Sequence, residues 1–335
     1  HGLQAHFNRR LQSMLTAKGK SAVGWDEVLY PDLPDDIVVQ SWRGQFSLVE
    51  AVRHGFQCIQ SNGYYLDYHL PAAFHYAVDP VPTPSEPLDV SGAWNSWWFQ
   101  LTTPEGTREG HLTIAGGQDD ARGVIDFGGP ELTVQVDEVR IDGSRFVFDV
   151  SSRFGSFAAD LNQEGESLTG VLHFWGHALP VQGSRTAGSD LPGTDPPDVQ
   201  GVPELTPDEV TRILGGEACM WAELVNAEIL DSRVWPRMAV IAERFWSPAA
   251  STQDEDDMYR RLATFSDWLT WTGLTHQSAF PLMLRRMTDA DTKPLKVLAD
   301  VVAPLEFYGR HGSREYSQFT PLNRLVDAVP SESHK

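Results

Sequence analysis

Three short apolar runs, Ala22–Trp25, Ile37–Trp42 and Phe56–Ser61, alternate with helical segments in the first 80 residues. This alternation is the strongest constraint on the fold. Strands that are apolar on both faces and separated by helices cannot join by hairpins. They form a parallel sheet covered by helices. The helical stretch Gln4–Lys18 places Phe7, Leu11, Met14 and Leu15 on one side and stops at Gly19. A second helix, Phe46–His54, stops at Gly55. After Pro203 the pattern resumes. Thr206-Pro207-Asp208-Glu209 is a helix start with a threonine cap, proline in the first turn and early acids. Gly215–Trp221 reads as a fourth strand, Ser232–Trp246 and Glu255–Trp271 as helices, and 280–335 as largely helical.

The middle of the chain differs. Pro80, Pro82, Pro84 and Pro87 crowd a stretch that can be neither helix nor central strand. From Trp94 to about Gln182, alternating segments such as Leu132–Arg140, Arg145–Val150, Ser156–Leu161 and Leu168–Trp175 are separated by Asp142-Gly143 and Glu164-Gly165. They read as an antiparallel meander. Gly183–Pro203 reads as its exit linker. Residues 86–200 hold 18 acids against 6 arginines and no lysine, more than half of the chain's net charge of −20. The expected organisation is α/β sequence at 1–85, an inserted acidic β module at 86–200, α/β sequence at 201–280 and a helical segment at 281–335.

A chain this acidic repels phosphate backbones, which argues against nucleic acid as a partner. No apolar run approaches the length of a membrane-spanning helix. Cys58 and Cys219 stand in apolar runs, as buried thiols do, and no Cys/His spacing suits zinc. No structural metal is therefore expected. His69 and His75, and His173 and His177, read as surface or turn histidines. Trp94, Trp97, Trp98 and Trp175 read as core of the β module rather than a ligand platform.

Each α/β strand ends in aromatic and acidic residues: Trp25 with Asp26 and Glu27, Trp42 with Arg43, Tyr65 with Asp67, and Trp221 with Glu223. The C-terminal ends of parallel barrel strands are where active sites form. Indole faces stack on pyranose rings and carboxylates accept from hydroxyls, so this set suits a sugar. Adjacent side chains such as Asp26 and Glu27 diverge and do not make a catalytic dyad by spacing alone.

Gly24-Trp25-Asp26-Glu27, Gln40-Ser41-Trp42-Arg43, Tyr65-Leu66-Asp67, Gly215 through Glu223, and Arg233-Val234-Trp235-Pro236-Arg237 through Ser247 together resemble glycoside hydrolase family 20, the β-N-acetylhexosaminidases. The resemblance covers roughly 1–80 and 203–330. It implies an α/β fold, a partial (β/α)8 TIM barrel of strands five to eight, with an inserted antiparallel all-β domain after the seventh. It implies that Trp25, Trp42 and Trp221 wall the site for a terminal N-acetylhexosamine. Tyr65 would contact the acetamido oxygen, and Asp67 and Glu223 would hold hydroxyls. The family's chemistry is substrate-assisted retaining hydrolysis, and the resemblance implies no metal or organic cofactor. Its catalytic Asp-Glu pair lies in a His-x-Gly-Gly-Asp-Glu stretch that does not occur here. The chain, which begins at His1, is thus expected to be a fragment, inactive alone and partnered by the missing N-terminal half of the barrel. N-acetylhexosamine-containing glycans are the expected substrates and an extracellular or periplasmic site the expected location. The alternative is a non-catalytic carbohydrate-binding protein that keeps half of the pocket. A further possibility is another retaining barrel using Asp26, Glu27, Asp67 or Glu223 as acids.

Overall fold

The computed structural model describes residues 2–29, 36–103, 106–127, 133–152, 155–174, 177–195, 201–302, 304–306 and 319–332. The chain divides into two compact units, His1–Pro82 with Leu205–Lys335, and Thr83–Glu204.

The first unit holds a parallel sheet of β1 (Val23–Trp25), β2 (Val38–Ser41), β3 (Gln57–Gln60) and β13 (Ile213–Gly216), in the order β1-β2-β3-β13. Helix α1 (Gly2–Thr16) ends with Gly19 at φ +63. Lys20 N–H bonds to Leu15 O and Gly19 N–H to Thr16 O, the paired closure that a left-handed glycine permits. Helix α2 (Gln45–Arg53) ends the same way at Gly55, with Phe56 N–H on Ala51 O and Gly55 N–H on Val52 O. Its inner face, Leu48, Ala51 and Val52, packs with Val39, Phe56 and Cys58 in a buried cluster. The Thr206 cap is present on α4 (Pro207–Val210), with its reciprocal Glu209 contact.

Several expectations change. Strand β1 is not buried: it lies at the sheet edge, and Val23 is 58 % exposed. The apolar side of α1 faces solvent, with Leu3, Phe7, Leu11 and Met14 all exposed among the described residues. The fourth strand is Ile213–Gly216, earlier than expected. Gly215 at φ +139 shifts the register, and beyond Gly216 regular pairing gives way to one bridge, Tyr65 to Cys219. Trp221 and Glu223 thus lie past the strand. Ser232–Trp246 is two helices, α5 (Leu230–Val234) and α6 (Arg237–Trp246). Pro236, which has no N–H to donate, separates them across a cis Trp235-Pro236 bond. Helix α7 spans Glu255–Trp271, capped by Asp254. The C-terminal part carries α8 (Ala279–Met287) and α9 (Lys293–Val301), but 319–332 has only a short 3-10 turn at Leu325–Ala328. No helix among the described residues is long and apolar enough to cross a membrane.

The second unit is an antiparallel sheet. Its described strands are β4 (Trp94–Thr103), β5 (Gly106–Ala115), β6 (Arg122–Asp126), β7 (Thr133–Val136), β8 (Arg140–Asp142), β9 (Arg145–Ser152), β10 (Gly155–Glu164), β11 (Ser167–Phe174) and β12 (His177–Gly188). Their order is β7-β6-β5-β4-β12-β11-β10-β9-β8. The sheet curls, so that Val134 and Val136 of β7 share one core with Phe146 and Phe148 of β9. Trp94 and Trp97 are core residues and Trp98 is half-buried, while Trp175 lies outside the described residues. Strand β12 runs to Gly188, so the expected linker begins inside a strand.

Gly170, paired with Leu161, has φ +150, and a Cβ there would lie 2.2 Å from Asp160 O. Backbone cannot yield as a flexible side chain can. Gly170→Ala is expected to destabilise this unit by about 2–4 kcal/mol. Gly143→Ala, at φ +60 with open space around it, should cost only about 1 kcal/mol. Urea titration followed by near-ultraviolet dichroism ranks the two. Equal midpoints would refute the close-contact argument.

Candidate sugar site

The candidate residues gather at the C-terminal ends of the parallel strands. Asp26 follows β1 and is 2 % exposed. One of its oxygens accepts from Trp42 N–H at 2.7 Å and Arg43 N–H at 2.8 Å, and the other from Ser47 Oγ–H at 2.7 Å. Three of the roughly four acceptor positions of this carboxylate thus fasten the end of β1 to the β2–α2 loop and the start of α2, a structural role. Glu27 accepts from the Trp42 indole at 3.3 Å and from Arg43 Nη2 at 3.3 Å, while the Arg43 guanidinium lies 6.0 Å from the Trp42 ring centroid. Glu27 therefore orients Trp42.

Trp25 and Trp221 meet across the sheet, ring centroids 6.1 Å apart and planes inclined at 42°. Trp221 is held by its backbone N–H, which donates to Asp67 Oδ1 at 3.3 Å. The segment before it is pinned by Cys219 N–H to Tyr64 O and Leu66 N–H to Cys219 O, both 2.9 Å. Tyr65 precedes a 3-10 turn, Leu66–Tyr68. Residues three apart eclipse in such a turn, and Tyr65 stacks on Tyr68 at 5.0 Å and 16°. Burial pushes the Tyr65 phenol well above its usual range. Cys219, Tyr68 and Asp67 push the same way, against a hydrogen bond from Trp221. Tyr65 is therefore a phenol, and a donor, across neutral pH. Burial also raises Asp67 to about 6. Glu223 adds to the rise, and the Trp221 N–H and Arg237 oppose it. Above that pH Asp67 is an acceptor only.

The structure thus brings together Trp25, Tyr65, Asp67 and Trp221, with Glu223 exposed but close enough to act on Asp67 electrostatically. Trp42 is engaged with Glu27 and Arg43 instead. Two indole planes meeting at an angle, beside a phenol donor and a carboxylate acceptor, form a corner that suits a pyranose face and its hydroxyls. A cavity of about 680 Å³ in the same unit, lined by residues including Pro71, Tyr259, Leu262 and Glu332, contains none of the candidate sugar residues.

Sequence reasoning missed Tyr68, although its spacing from Tyr65 was visible. It also missed the polar cluster behind the strands, where Gln40 Nε2 donates to Ser61 Oγ at 3.0 Å and Glu217 Oε1 at 2.9 Å. His69 and His75 are not surface residues: they are 3 % and 0 % exposed. A carbonyl can only accept, so His69 Nε2–H donates to Val329 O at 2.8 Å and His75 Nδ1–H to Gly63 O at 2.7 Å. Burial holds both far below the usual imidazole range, His75 at about 3, and both rings are neutral. His173 is exposed, and the side chain of His177 lies outside the described residues. Cys58 and Cys219 are buried thiols, pushed up by burial to about 12 and about 11 and hence inert as nucleophiles. Among the described residues no group of three or more His, Cys, Asp or Glu could hold a metal ion.

Comparison with known proteins finds relatives of the chain. A stretch of 74 residues, 21% of this chain and 11% of its counterpart, is 40% identical to a probable β-hexosaminidase of Drosophila melanogaster. A stretch of 68 residues, 20% of this chain and 12% of its counterpart, is 40% identical to the β-hexosaminidase subunit β of Mus musculus. The chain thus matches only about a tenth of the length of these curated relatives. The solved structure of a Flavobacterium johnsoniae chitobiase superposes with a TM-score of 0.60 and 26% identity, covering 99% of this chain and 34% of that one. The model of the glycosyl hydrolase family 20 catalytic domain matches residues 1–120 and 189–249, more than half of the chain. On that match the chain belongs to glycosyl hydrolase family 20.

Proposed function

We propose that the parallel unit supplies one wall of the pocket of an exo-acting β-N-acetylhexosaminidase, its four strands being the fifth to eighth of a (β/α)8 barrel and the β unit an insertion after the seventh. Trp25, Trp42 and Trp221 wall a terminal N-acetylhexosamine and its acetamido methyl. Tyr65 donates its phenolic hydrogen to the acetamido carbonyl oxygen. Asp67 and Glu223 accept from hydroxyls around O4 and O6. The observation that carries this reading is the meeting of the Trp25 and Trp221 rings at 6.1 Å beside Asp67.

The reaction on this reading is substrate-assisted. The acetamido oxygen attacks the anomeric carbon as the glycosidic oxygen leaves with a proton from a general acid. Water then opens the oxazolinium with retention. In this scheme Tyr65 holds the attacking oxygen in place, and the tryptophans shield the intermediate from stray water. The general acid and the Asp that orients the acetamido group belong to a His-x-Gly-Gly-Asp-Glu stretch outside this chain's sequence, in a partner segment that completes the barrel. The exposed apolar side of α1, and the edges of β1 and β13 that pair with no further strand among the described residues, support a need for such a partner. Glycan substrates favour an extracellular or periplasmic location.

Hydrolysis of p-nitrophenyl N-acetylglucosaminide tests the proposal. The chain alone is expected to be slower by about 10²–10⁴-fold than the same chain supplemented with the missing segment, the usual contribution of general acid catalysis. Turnover by the chain alone that Glu223→Gln abolishes would overturn the claim that the acid lies elsewhere. Sugar binding with no turnover in either form would favour a non-catalytic carbohydrate-binding protein.

A further inference from the structure

Arg237 opens α6 and is 0 % exposed. Among the described residues its hydrogen bonds go only to backbone carbonyls. Nη1 donates to Leu70 O at 2.7 Å, and Nη2 to Leu66 O at 2.8 Å and to the Arg233 carbonyl. Its Nε has no hydrogen-bond partner. Burying a cation without a bonded carboxylate is costly. Burial lowers Arg237 to about 10, while Glu332 and Asp67 oppose the fall, so it stays charged at neutral pH.

Two of the three carbonyls it grips, those of Leu66 and Leu70, have a place in the fold. Leu66 and Leu70 bracket the 3-10 turn that follows Tyr65 and contains Asp67. The turn closes at His69 with φ +59, a left-handed conformation that a non-glycine residue adopts reluctantly. His69 is held there by its bond to Val329 O. The planar guanidinium fork holds both bracketing carbonyls from one side, each through its own nitrogen.

We infer that Arg237 is a positioning residue for the sugar site: it clamps the carbonyls of Leu66 and Leu70, sets the turn that presents Tyr65 and Asp67, and places a positive charge behind Asp67. The inference rests on the reading of Asp67 as a sugar ligand. The charged and titratable groups around this pair are few. Asp67 faces Tyr65 in its own segment, Cys219 and Glu223 from the segment after β13, and Arg237 from α6. Arg237 in turn acts on His69 and His75 and is acted on by Glu332, with Arg233 also beside His69.

The test is carboxyl nuclear magnetic resonance of the full chain with labelled aspartate, Asp67→Asn assigning the signal. In the wild type Asp67 is expected to titrate near 6 and to be ionised at about pH 7.5. Arg237→Gln should raise that midpoint and displace the backbone amide signals of Leu66 through His69. Arg237→Lys should hold the midpoint nearer the wild-type value but displace the backbone amide signals of Leu66 through His69, because one ammonium nitrogen does not reproduce a fork that bonds the two carbonyls from two nitrogens. Both variants should weaken the response of the Trp25 and Trp221 indoles to N-acetylglucosamine by about tenfold. A folded Arg237→Gln with an unchanged midpoint and unchanged turn amides overturns the inference. If neither variant folds, the wild type decides: slow solvent exchange of the Arg237 Nη hydrogens, read in guanidinium spectra of arginine-labelled chain, supports the clamp, and free exchange overturns it. The midpoint and the turn amides need no sugar. If they respond as expected and the wild type binds none, the reading of the sugar site fails while Arg237 still sets the turn.

Discussion

Arg244→Met is expected to destabilise the parallel unit by about 2–4 kcal/mol, more than any surface ion pair in the chain could. Arg244 lies on α6 with its side chain 4 % exposed. Nε donates to Val78 O at 3.0 Å, Nη2 to Asp79 Oδ2 at 2.8 Å, and Nη1 to Thr252 Oγ1 and, at 3.3 Å, to Thr252 O. The guanidinium also lies 5.8 Å from the Tyr76 ring centroid. One side chain thus ties α6 to the segment after α3 (Ala72–Ala77) and to the turn before α7. Methionine fills the space but satisfies none of these acceptors. Breaking a buried pair from one side costs about 3–5 kcal/mol. The figure here is lower because Asp79 is 26 % exposed and can rehydrate, and because Val78 O keeps a second donor in the Tyr64 hydroxyl at 3.1 Å. Arg261 is the control. It pairs with Glu243 and Asp257 at 2.7 Å each but is 39 % exposed, and Arg261→Met should cost no more than about 1 kcal/mol. Urea unfolding followed by far-ultraviolet dichroism compares them. A smaller loss at Arg244 than at Arg261 would sink the argument.

What could be read from the sequence was what is local. Gly19 and Gly55 stop helices through hydrogen bonds spanning five residues, and the Thr206 cap closes on Glu209 three residues away. Such signals lie within one turn of chain, so composition and spacing carry them. The same locality explains the hairpin turns at Asp142-Gly143 and Glu164-Gly165, whose glycines sit at φ +60 and +61. Where partners are distant, reading failed. The burial of His69 depends on Val329, 260 residues on, and no local pattern announces it. Pro236 was visible as a helix breaker but was absorbed into a longer apolar pattern. The displacement of the fourth strand follows from Gly215, whose register shift no hydrophobic period encodes. The meeting of Trp25 and Trp221 is likewise non-local. Spacing alone cannot pair residues so far apart, although the apolar runs before them put each at a strand end. Tyr65 and Asp67 stand out in the same strand-end pattern, and the family resemblance supplies only their expected roles. The turn that orients them depends on an arginine far along the chain, and no spacing within the turn points to it.

Asp67→Asn is expected to stabilise the protein while weakening sugar binding. Asp67 is raised to about 6 in the fold, chiefly by burial, against about 3.9 in an unfolded chain. The sign follows from proton binding. Between about pH 4 and 6 the folded state binds the proton more tightly than the unfolded one, so the carboxyl's penalty is absent at the acid end and grows as pH rises through that window. Above about pH 6 the penalty is complete. A rise of this size corresponds to at most about 3 kcal/mol, and the partial exposure of Asp67 reduces this to about 1–2 kcal/mol. Asparagine keeps an acceptor oxygen for the Trp221 N–H and carries no charge to desolvate. The variant should therefore melt at a higher temperature than the wild type at about pH 7.5, and the gap should close near pH 4, where the wild-type carboxyl is protonated as well. Affinity for N-acetylglucosamine should fall in the same variant, because a charged acceptor binds a hydroxyl about twice as strongly as a neutral one. Paired calorimetric melts at the two pH values, with sugar titrations at the higher one, measure both effects. A ligand-binding carboxylate held against its own solvation cost is stabilised by removal and missed by the ligand; a carboxylate that merely caps a turn would lose stability at both pH values and leave sugar affinity unchanged.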